Sequence, residues 1–329
     1  MNSPPTSPKV YLETFGCQMN VLDSELVTSS LRSLGYQFVD QWEDADAVIY
    51  NTCSVRALAE QKVYSRVGEV SQYKQEERPD QLLAVIGCMA EREGEDIVRR
   101  FPDIDVLCGP GELDQLPRLI DNAMKTSISD RGGVKQLQAA LQGNTHRRSS
   151  TLAAAEDNLE MLDLGRSFSP DSHEGSAYVR ITRGCNKYCT YCVVPNTRGA
   201  EVHRPPAHII DECRRLVEAG VVEITLLGQT VNHYHFNHEA AVTVDGVVQP
   251  QVGEVIRNAG NDAESKVDRG GDHGAVTTFA QLLAEIHEQV PDLKRLRFVT
   301  SFPRDFGDDI LKVMRDHPRI CRYLHLPFQ

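Results

Sequence analysis

Short apolar runs alternate with segments of helical period along the first 125 residues of the chain. Three of these runs, over 10–16, 47–52 and 82–87, each lead directly into a cysteine, namely Cys17, Cys53 and Cys88. Continuous apolar runs between helices predict a parallel sheet covered on both faces, with every strand's carboxyl end on one edge. Open α/β sheets bind ligands at that edge. We therefore expect the three thiols to converge there, although an isolated cysteine is more often simply buried.

The same pattern extends to a complete amino-terminal domain over 9–125. We predict helices over 23–34, 55–73, 95–101 and 112–125, and a further strand over 105–108. Asp23 or Ser24 would cap the first helix, and Gly35 would end it. These elements predict a flavodoxin-like parallel α/β fold.

A second strand and helix alternation begins at residue 175. We predict strands over 177–182, 223–227, 295–299 and 323–326, and helices over 207–219, 279–290 and 308–316. This alternation is typical of a β/α barrel, whose functional loops lie at the carboxyl ends of the strands. The second domain, 175–329, is therefore predicted to be a partial barrel.

Three polar stretches interrupt these domains. Residues 1–8 are predicted to be a disordered tail, 126–174 an inter-domain linker, and 235–276 an insertion that is longer than a compact barrel loop. In the linker, Arg147 and Arg148 are interpreted as a solvated charge pair, with contact to an RNA backbone as the alternative.

Composition narrows the range of partners. The chain has 329 residues, 40% of them hydrophobic, and a formal net charge of -12. Such acidity argues against non-specific binding of nucleic acid, which needs clustered Lys and Arg. No secretory or membrane-length apolar segment is present, so we predict a cytoplasmic protein that does not bind membranes and whose cysteines do not form disulfides. We also expect a monomer.

A compact cysteine motif opens the second domain. Cys185, Cys189 and Cys192 have the spacing C-x3-C-x2-C, which predicts an iron-sulfur site with three thiolate ligands. A 4Fe-4S cluster normally takes four cysteines, so one iron would stay open for a substrate or cofactor. A structural zinc site is the weaker alternative, because it needs a fourth ligand and the nearest candidates, His203 and Cys213, lie outside the usual spacing.

The remaining candidate ligands are given ordinary interpretations. We expect Cys108, Cys213 and Cys321 to occupy buried apolar positions. His233, His235 and His238 begin the insertion, and loop histidines without a supporting carboxylate are more often solvated than bound to metal.

The residues around the cysteines resemble those of a known family. The segments concerned are Phe15-Gly16-Cys17-Gln18-Met19-Asn20, Asp23-Ser24-Glu25, Asn51-Thr52-Cys53-Ser54-Val55-Arg56, Gly87-Cys88-Met89-Ala90-Glu91-Arg92, Val193-Val194-Pro195-Asn196-Thr197-Arg198-Gly199 and Leu226-Leu227-Gly228-Gln229-Thr230-Val231-Asn232. Together with the C-x3-C-x2-C motif they are similar to the radical S-adenosylmethionine methylthiotransferases. Within that family, Gln18-Met19-Asn20 favours the branch that modifies isopentenyladenosine in tRNA.

The resemblance implies two 4Fe-4S clusters and S-adenosylmethionine as cofactors. One cluster, on Cys185, Cys189 and Cys192, would bind and cleave S-adenosylmethionine, and the other, on Cys17, Cys53 and Cys88, would carry the sulfur that is methylated and transferred. Cofactor contacts are implied for Tyr191, Gly228, Gln229 and Arg183. Arg183 and Arg198 flank the cluster motif and could pair with the cofactor carboxylate or with RNA phosphate.

The resemblance also implies a transferase that acts on N6-isopentenyladenosine beside the anticodon. Its partners would be the tRNA, a reducing electron donor of flavodoxin or ferredoxin type, and a sulfur donor. Two alternatives stay open: another acceptor, namely threonylcarbamoyladenosine tRNA or a ribosomal protein, and a non-enzymatic electron-transfer protein that holds two clusters.

The family's partial barrel has six strands and is followed by a basic RNA-binding β domain. Four strands are predicted here before Gln329. We accordingly expect a carboxyl-terminally truncated chain that binds its clusters but modifies tRNA poorly.

Overall fold

A computed structural model describes residues 7–55, 57–129, 137–142, 159–167, 175–238, 241–244, 247–250 and 276–327. The chain forms two compact units. The first unit contains Met1–Ser167 and Asn186–Ala200, and the second contains Phe168–Cys185 and Glu201–Gln329. Residues 1–6 of the predicted tail, Arg147 and Arg148 of the predicted linker, and most of the insertion lie outside the described residues.

The first unit is built on a six-stranded parallel sheet. Its strands are β1 (Lys9–Phe15), β2 (Gln37–Phe38), β3 (Ala47–Thr52), β4 (Leu82–Gly87), β5 (Val106–Cys108) and β6 (Gln138–Ala140). They are ordered β2-β1-β3-β4-β5-β6, and each neighbouring pair is parallel. The first five follow the flavodoxin-like order 2-1-3-4-5. The predicted fold of this domain is therefore confirmed.

The helices of this unit are α1 (Gln18–Ser33), α2 (Ala57–Glu76), α3 (Cys88–Glu93), α4 (Glu95–Arg100) and α5 (Leu116–Ser129), and 159–164 (α6) is also helical. The predicted start of α1 at Asp23 is wrong, because the helix begins directly after Cys17. Its first turn carries buried polar residues such as Asn20, which conceal the helical period. Gly35 follows the helix with φ +89°, as its predicted role requires.

Several further boundaries differ from the sequence prediction. The helices expected over 55–73 and 112–125 run over Ala57–Glu76 and Leu116–Ser129, and a 3-10 turn over Leu113–Gln115 precedes the second of them. The helix expected over 95–101 is preceded by α3, and Gly94, with φ +53°, separates the two short helices. The stretch 126–174, predicted to be a linker, contributes strand β6 to the sheet beside β5. A three-residue strand is too short to show a clear period in sequence.

The second unit contains a parallel sheet of three strands in the order β15-β10-β7. These are β7 (Ser176–Arg180), β10 (Glu223–Leu227) and β15 (Arg295–Phe298), and the helices are α8 (Pro206–Glu218), α9 (Phe279–Gln289) and α10 (Asp308–Asp316). The helix predictions are correct to within one residue. Helix α7 (Val194–Thr197) belongs to the first unit.

The fourth strand expected over 323–326 does not form. The chain makes a single parallel bridge to the sheet, between Leu296 and Ile320, and Tyr323, Leu324 and Leu326 beyond it are exposed. These apolar side chains are only partly covered, whereas the strands of a parallel sheet are normally covered on both faces. The described part of the barrel thus has three paired strands and not four.

Three short antiparallel ribbons complete the described part of this unit. Strand β8 (Thr182–Arg183) pairs with β9 (Val202–His203), and β11 (His235–Asn237) pairs with β14 (Val276–Thr278). The second ribbon brackets the insertion, inside which β12 (Ala241–Val244) pairs with β13 (Val247–Pro250).

Each unit has its own hydrophobic core. In the first unit the sheet separates two apolar clusters, one formed with α1 and α5 and the other with α2, α3 and α4. The core of the second unit lies between its sheet and α8, α9 and α10. Among the described residues, the model contains no helix with the length and apolar character needed to cross a bilayer.

A glycine substitution tests the sheet edge. Gly87 has φ +91°, and a Cβ atom there would lie 2.5 Å from Asn51 Oδ1 and 2.6 Å from the carbonyl oxygen of Thr52. We expect Gly87→Ala to lower the free energy of unfolding by about 2 kcal/mol or more, because it adds backbone strain to a steric clash. Urea unfolding followed by circular dichroism measures this change.

Gly68→Ala is the matched control. Gly68 lies inside α2, and the nearest atom to an added Cβ is 3.9 Å away. Because alanine favours a helix interior, this variant should be neutral or more stable by about 0.5–1 kcal/mol. Equal effects of the two substitutions would contradict the described backbone at Gly87.

Candidate metal centre at the sheet edge

Cys17, Cys53 and Cys88 lie at the carboxyl ends of three neighbouring strands. Cys17 comes two residues after β1, Cys53 directly follows β3, and Cys88 directly follows β4 as the first residue of α3. The strands are adjacent in the order β1-β3-β4. The structure therefore places the three thiols on one edge of the sheet, as the strand pattern predicted.

Glycines let the backbones carrying these thiols approach closely. A Cβ atom at Gly16 would lie 2.7 Å from Cys53 Cβ and 2.8 Å from Asn20 Oδ1. Gly87 likewise lacks a side chain where its backbone approaches Asn51 and Thr52. Larger residues at these two positions would push the strand ends apart.

A buried amide pair joins the first turn of α1 to the end of β3. Asn20 Nδ2 donates to Asn51 Oδ1 at 2.9 Å and to the Thr52 carbonyl at 3.0 Å, and Asn51 Nδ2 donates to the Asn20 carbonyl at 2.9 Å. Asn51 Nδ2 also donates to Ser24 Oγ at 2.9 Å. A satisfied buried network of this kind holds its members in one arrangement. Sequence reasoning assigned no structural role to either asparagine.

The three thiols differ in protonation. A hydrogen bond from the Cys53 thiol lowers the pKa of Cys17 to about 5, with help from the charge of Arg198 and the backbone N–H groups of Met19 and Asn20. When protonated, Cys17 instead donates to Asn20 Oδ1 at 3.3 Å. The hydrogen bond to Cys17 and burial raise the pKa of Cys53. Burial raises the pKa of Cys88, and Arg198 opposes that rise.

Arg198 supplies a buried positive charge to this site. Its guanidinium donates to Asp23 Oδ2 at 2.7 Å, with both side chains almost fully buried at 6% and 1% exposure. The charges of Asp23, Cys88 and Cys17 raise the pKa of Arg198 despite its burial. Arg198 thus pairs with Asp23, and Asp23 is a site residue within α1 instead of its cap. Neither role was predicted from sequence.

The C-x3-C-x2-C motif spans both units. Cys185 is buried in the second unit, 3.7 Å from Thr230 Oγ1. Cys189 and Cys192 lie in the first unit, where the Cys192 N–H donates to the Cys189 carbonyl at 2.9 Å and closes a tight turn. A shared cluster on these three cysteines stays a prediction from their spacing.

The residues predicted to contact a cofactor have varied environments. Gly228 follows β10, and a Cβ atom there would collide with Thr182 Oγ1, so its lack of a side chain is needed for packing. Gln229 is half-buried and Arg183 is buried in β8, whereas the Tyr191 side chain is 65% exposed. Of these four residues, Tyr191 is therefore the one whose side chain is mostly exposed and open to a ligand.

The remaining cysteines mostly match their ordinary interpretation. Cys108 and Cys213 are fully buried, and burial raises the pKa of each. Cys321 is only partly buried, so the expectation of a buried position is wrong for this residue. It lies in the segment after the last bridge to the sheet, where the expected strand did not form.

The expectation of solvated histidines holds for His238, which is exposed, but not for His233 and His235, which are half-buried. His233 Nδ1 lies 2.7 Å from Glu201 Oε2, and His238 Nε2 lies 2.8 Å from Thr277 Oγ1. His233 therefore has the carboxylate partner that local sequence did not reveal. Burial, with the neighbouring His235 and His233, lowers the pKa of His203 well below its usual value, so this ring is neutral.

Comparisons with known proteins match most of the chain. The family model described as "Uncharacterized protein family UPF0004" matches residues 9–109, and the family model described as "Radical SAM superfamily" matches residues 179–329. The chain is 38% identical over 320 residues to the tRNA-2-methylthio-N(6)-dimethylallyladenosine synthase of Rhodopirellula baltica, covering 97% of this chain and 57% of that protein. It is 36% identical to the Aquifex aeolicus protein of the same name, covering 98% and 60%.

One solved structure has a similar fold. The radical S-adenosylmethionine methyltransferase TsrM from Kitasatospora setae matches with a TM-score of 0.51 at 16% identity, over 97% of this chain and 58% of that chain. At this identity the likeness concerns the fold alone.

The match to the radical SAM superfamily over residues 179–329 defines a protein of the radical S-adenosylmethionine class. The UPF0004 match covers the part of the chain that carries Cys17, Cys53 and Cys88, and the curated relatives match across both units. The chain belongs to the radical S-adenosylmethionine methylthiotransferase family. It spans about three fifths of the length of the curated relatives it matches.

The pKa of Cys17 leads to a prediction for the cluster-free chain. Alkylation of Cys17 by iodoacetamide should rise through about pH 5 and level off above pH 6, because the thiolate is the reactive form and is lost as pH falls through the pKa. Arg198→Met should move the half-maximal pH upward, since it removes a charge that favours the thiolate. Mass spectrometry of the Cys17 peptide after a short pulse measures the rate. A half-maximal pH near the usual cysteine value of about 8.5 would contradict this prediction.

The Arg198–Asp23 pair leads to a prediction on stability. Arg198→Met should lower the free energy of unfolding by about 3–5 kcal/mol, because it leaves the Asp23 carboxylate buried without its cation. The double variant Arg198→Met, Asp23→Leu should lose less than the sum of the single variants. Chemical denaturation of all three variants measures the coupling.

An exposed ion pair in the same unit provides the control. Arg99 and Asp96 lie 2.8 Å apart, with side chains 74% and 73% exposed. Arg99→Met should change the free energy of unfolding by less than about 1 kcal/mol. Additive losses for Arg198 and Asp23 would show that the two residues do not act as a pair.

Proposed function

We propose that this chain is the catalytic part of a methylthiotransferase that converts N6-isopentenyladenosine next to the anticodon of tRNA to its 2-methylthio derivative. The observation that supports this most directly is the convergence of Cys17, Cys53 and Cys88 at the sheet edge in a chain that also carries the C-x3-C-x2-C motif. The names of the curated relatives support the acceptor.

The first site fits an iron-sulfur cluster. Three thiols lie together, one of them with its pKa lowered to about 5, and soft thiolates are the ligands that such clusters use. Arg198 places a positive charge beside the sulfurs, which offsets the negative charge of thiolate ligands. In this proposal, Cys17, Cys53 and Cys88 hold one 4Fe-4S cluster and leave one iron open.

The second site would be held by Cys185, Cys189 and Cys192. An S-adenosylmethionine molecule bound to such a cluster supplies the radical that removes hydrogen from an unactivated C–H bond. Thr230 contacts the Cys185 sulfur and would help to hold this ligand in place. Tyr191, Gly228, Gln229 and Arg183 would bind S-adenosylmethionine, with the exposed Tyr191 ring as the flat apolar partner for adenine.

The function implies further partners. The chain would receive electrons from a flavodoxin or ferredoxin and sulfur from a separate donor, and would act as a monomer in the cytoplasm. Its net charge of -12 indicates that tRNA is recognised by local contacts and not by the overall field of the chain.

The experiment compares two triple variants with the parent chain, all loaded with iron and sulfide under anaerobic conditions. We expect about eight iron atoms in the parent and about four in each triple Ala variant, of Cys17, Cys53 and Cys88 or of Cys185, Cys189 and Cys192, because each removes one cluster. With dithionite and S-adenosylmethionine, the first variant should still release 5′-deoxyadenosine and the second should not. Loss of all iron in either variant would contradict two independent sites.

The acceptor is tested with tRNA that carries isopentenyladenosine, and the matched control is the same tRNA without the isopentenyl group. Mass spectrometry of the digested tRNA should show the 2-methylthio product only with the modified tRNA, at the low yield expected of this chain, and with neither triple variant. Modification of threonylcarbamoyladenosine tRNA or of a ribosomal protein instead would overturn the assignment of the acceptor. Absence of 5′-deoxyadenosine from the parent would favour an electron-transfer protein.

A further inference from the structure

Three histidine rings meet in the second unit, away from all six cluster cysteines in sequence. His203 ends β9, His233 ends a 3-10 turn over Val231–His233, and His235 begins β11. One potential ligand nitrogen from each ring lies within 4.8 Å of the other two. The ring centroids of His203 and His235 are 4.3 Å apart, and those of His233 and His235 are 5.1 Å apart.

In two of these rings, Nδ1 already makes a hydrogen bond that fixes the orientation of the ring. His233 Nδ1 lies 2.7 Å from the carboxylate oxygen Oε2 of Glu201, and His235 Nδ1 donates to the His233 carbonyl oxygen at 2.8 Å. Metal-binding histidines almost always use one nitrogen in this way, on a carboxylate or a backbone carbonyl, and bind the metal with the other. The Nε2 atoms of His233 and His235 are therefore the ones available for a ligand.

The third ring is unusual in a different respect. His203 Nδ1 is buried and has no hydrogen-bond partner within the part of the chain that the structure describes. Buried polar atoms are nearly always paired, and an exception calls for an explanation such as a bound ion. The ring nevertheless packs against His235 and against the edge of Tyr234.

We propose that His203, His233 and His235 bind a divalent transition-metal ion of the zinc class, and that Glu201 orients His233. Three neutral imidazoles with an open fourth position are a common donor set for Zn²⁺, and oxygen-seeking cations such as Mg²⁺ do not favour it. With Zn–N bonds of about 2.0–2.1 Å the nitrogens of a tetrahedral site lie about 3.3 Å apart. The three rings would therefore draw inward by about 1.5 Å at most.

The backbone that carries the site is well anchored. The residue after His203 is Arg204, whose fully buried guanidinium donates to Glu212 Oε2 at 2.8 Å and to the Arg180 carbonyl at 2.6 Å. Tyr234, between the other two histidines, donates its hydroxyl to the Arg204 carbonyl at 2.8 Å. The metal would thus add a second link between β9 and the turn that leads into β11.

The test uses the full chain with both cysteine triads loaded anaerobically with iron and sulfide, so that free thiols do not compete for zinc. The chain is equilibrated with zinc chloride and desalted, and zinc and iron are then measured by mass spectrometry. We expect about one zinc ion per chain at unchanged iron content. Zinc X-ray absorption should show imidazole nitrogen and no sulfur in the first shell.

Four variants make the test specific. His203→Ala and His235→Ala should weaken zinc binding by at least about 100-fold, and Glu201→Gln should weaken it by about 10–100-fold, because it disturbs the orientation of His233. His238→Ala is the matched control: His238 lies in the same segment but contacts Thr277 Oγ1, so zinc binding should not change. Zinc should also raise the thermal midpoint of the parent and of His238→Ala, but not of the other variants.

Folding of each variant is checked by circular dichroism and by retention of iron. Folded His203→Ala and His235→Ala chains that bind zinc like the parent would overturn the proposal. Sulfur in the zinc first shell, or zinc that increases only as iron is lost, would also overturn it, because the cysteine triads would then be the ligands. If zinc binding is unchanged in Glu201→Gln but weakened in His203→Ala and His235→Ala, the metal site is supported and the role of Glu201 is rejected.

Discussion

The sheet edge of the first unit depends on how its thiols are balanced by a positive charge. Cys17, Cys53 and Cys88 lie together there, and thiolates in a crevice of low polarity are costly unless a cation accompanies them. Arg198 supplies that cation, and Asp23 holds its guanidinium at 2.7 Å. Because Arg198 comes from 186–200, the segment that also carries Cys189 and Cys192, the environment of the sheet-edge thiols depends on residues of the second cysteine motif.

Backbone geometry is the second requirement at this edge. The strands bring the thiols together only because Gly16 and Gly87 allow close approach, and because the Asn20–Asn51 pair satisfies polar groups that the approach buries. Asn20 and Asn51, whose structural role is not visible in the sequence, therefore support the site. The same principle holds in the second unit, where Glu201 and the Arg204–Glu212 pair support the histidine cluster.

Much of the fold could be predicted from local pattern. The apolar runs before Cys53 and Cys88 coincide with β3 and β4, and α10 has the predicted bounds. The errors occur where local pattern and tertiary packing differ. The start of α1 buries polar residues such as Asn20 at the site, which obscures its helical period. The apolar residues over 323–326 lack a partner strand in the described part of the chain, so a strand was predicted there that does not form.

The sequence by itself determined the parallel sheet and the edge at which Cys17, Cys53 and Cys88 lie, because strand direction and crossover handedness follow from short-range pattern. The class of protein followed from the resemblance of its cysteine segments to a known family. Only the tertiary structure decided which charged and polar groups surround these residues. Asp23 and Arg198 are 175 residues apart, and Glu201 and His233 are 32 apart. Pairings of this kind depend on packing between distant elements, which leaves no periodic trace along the chain.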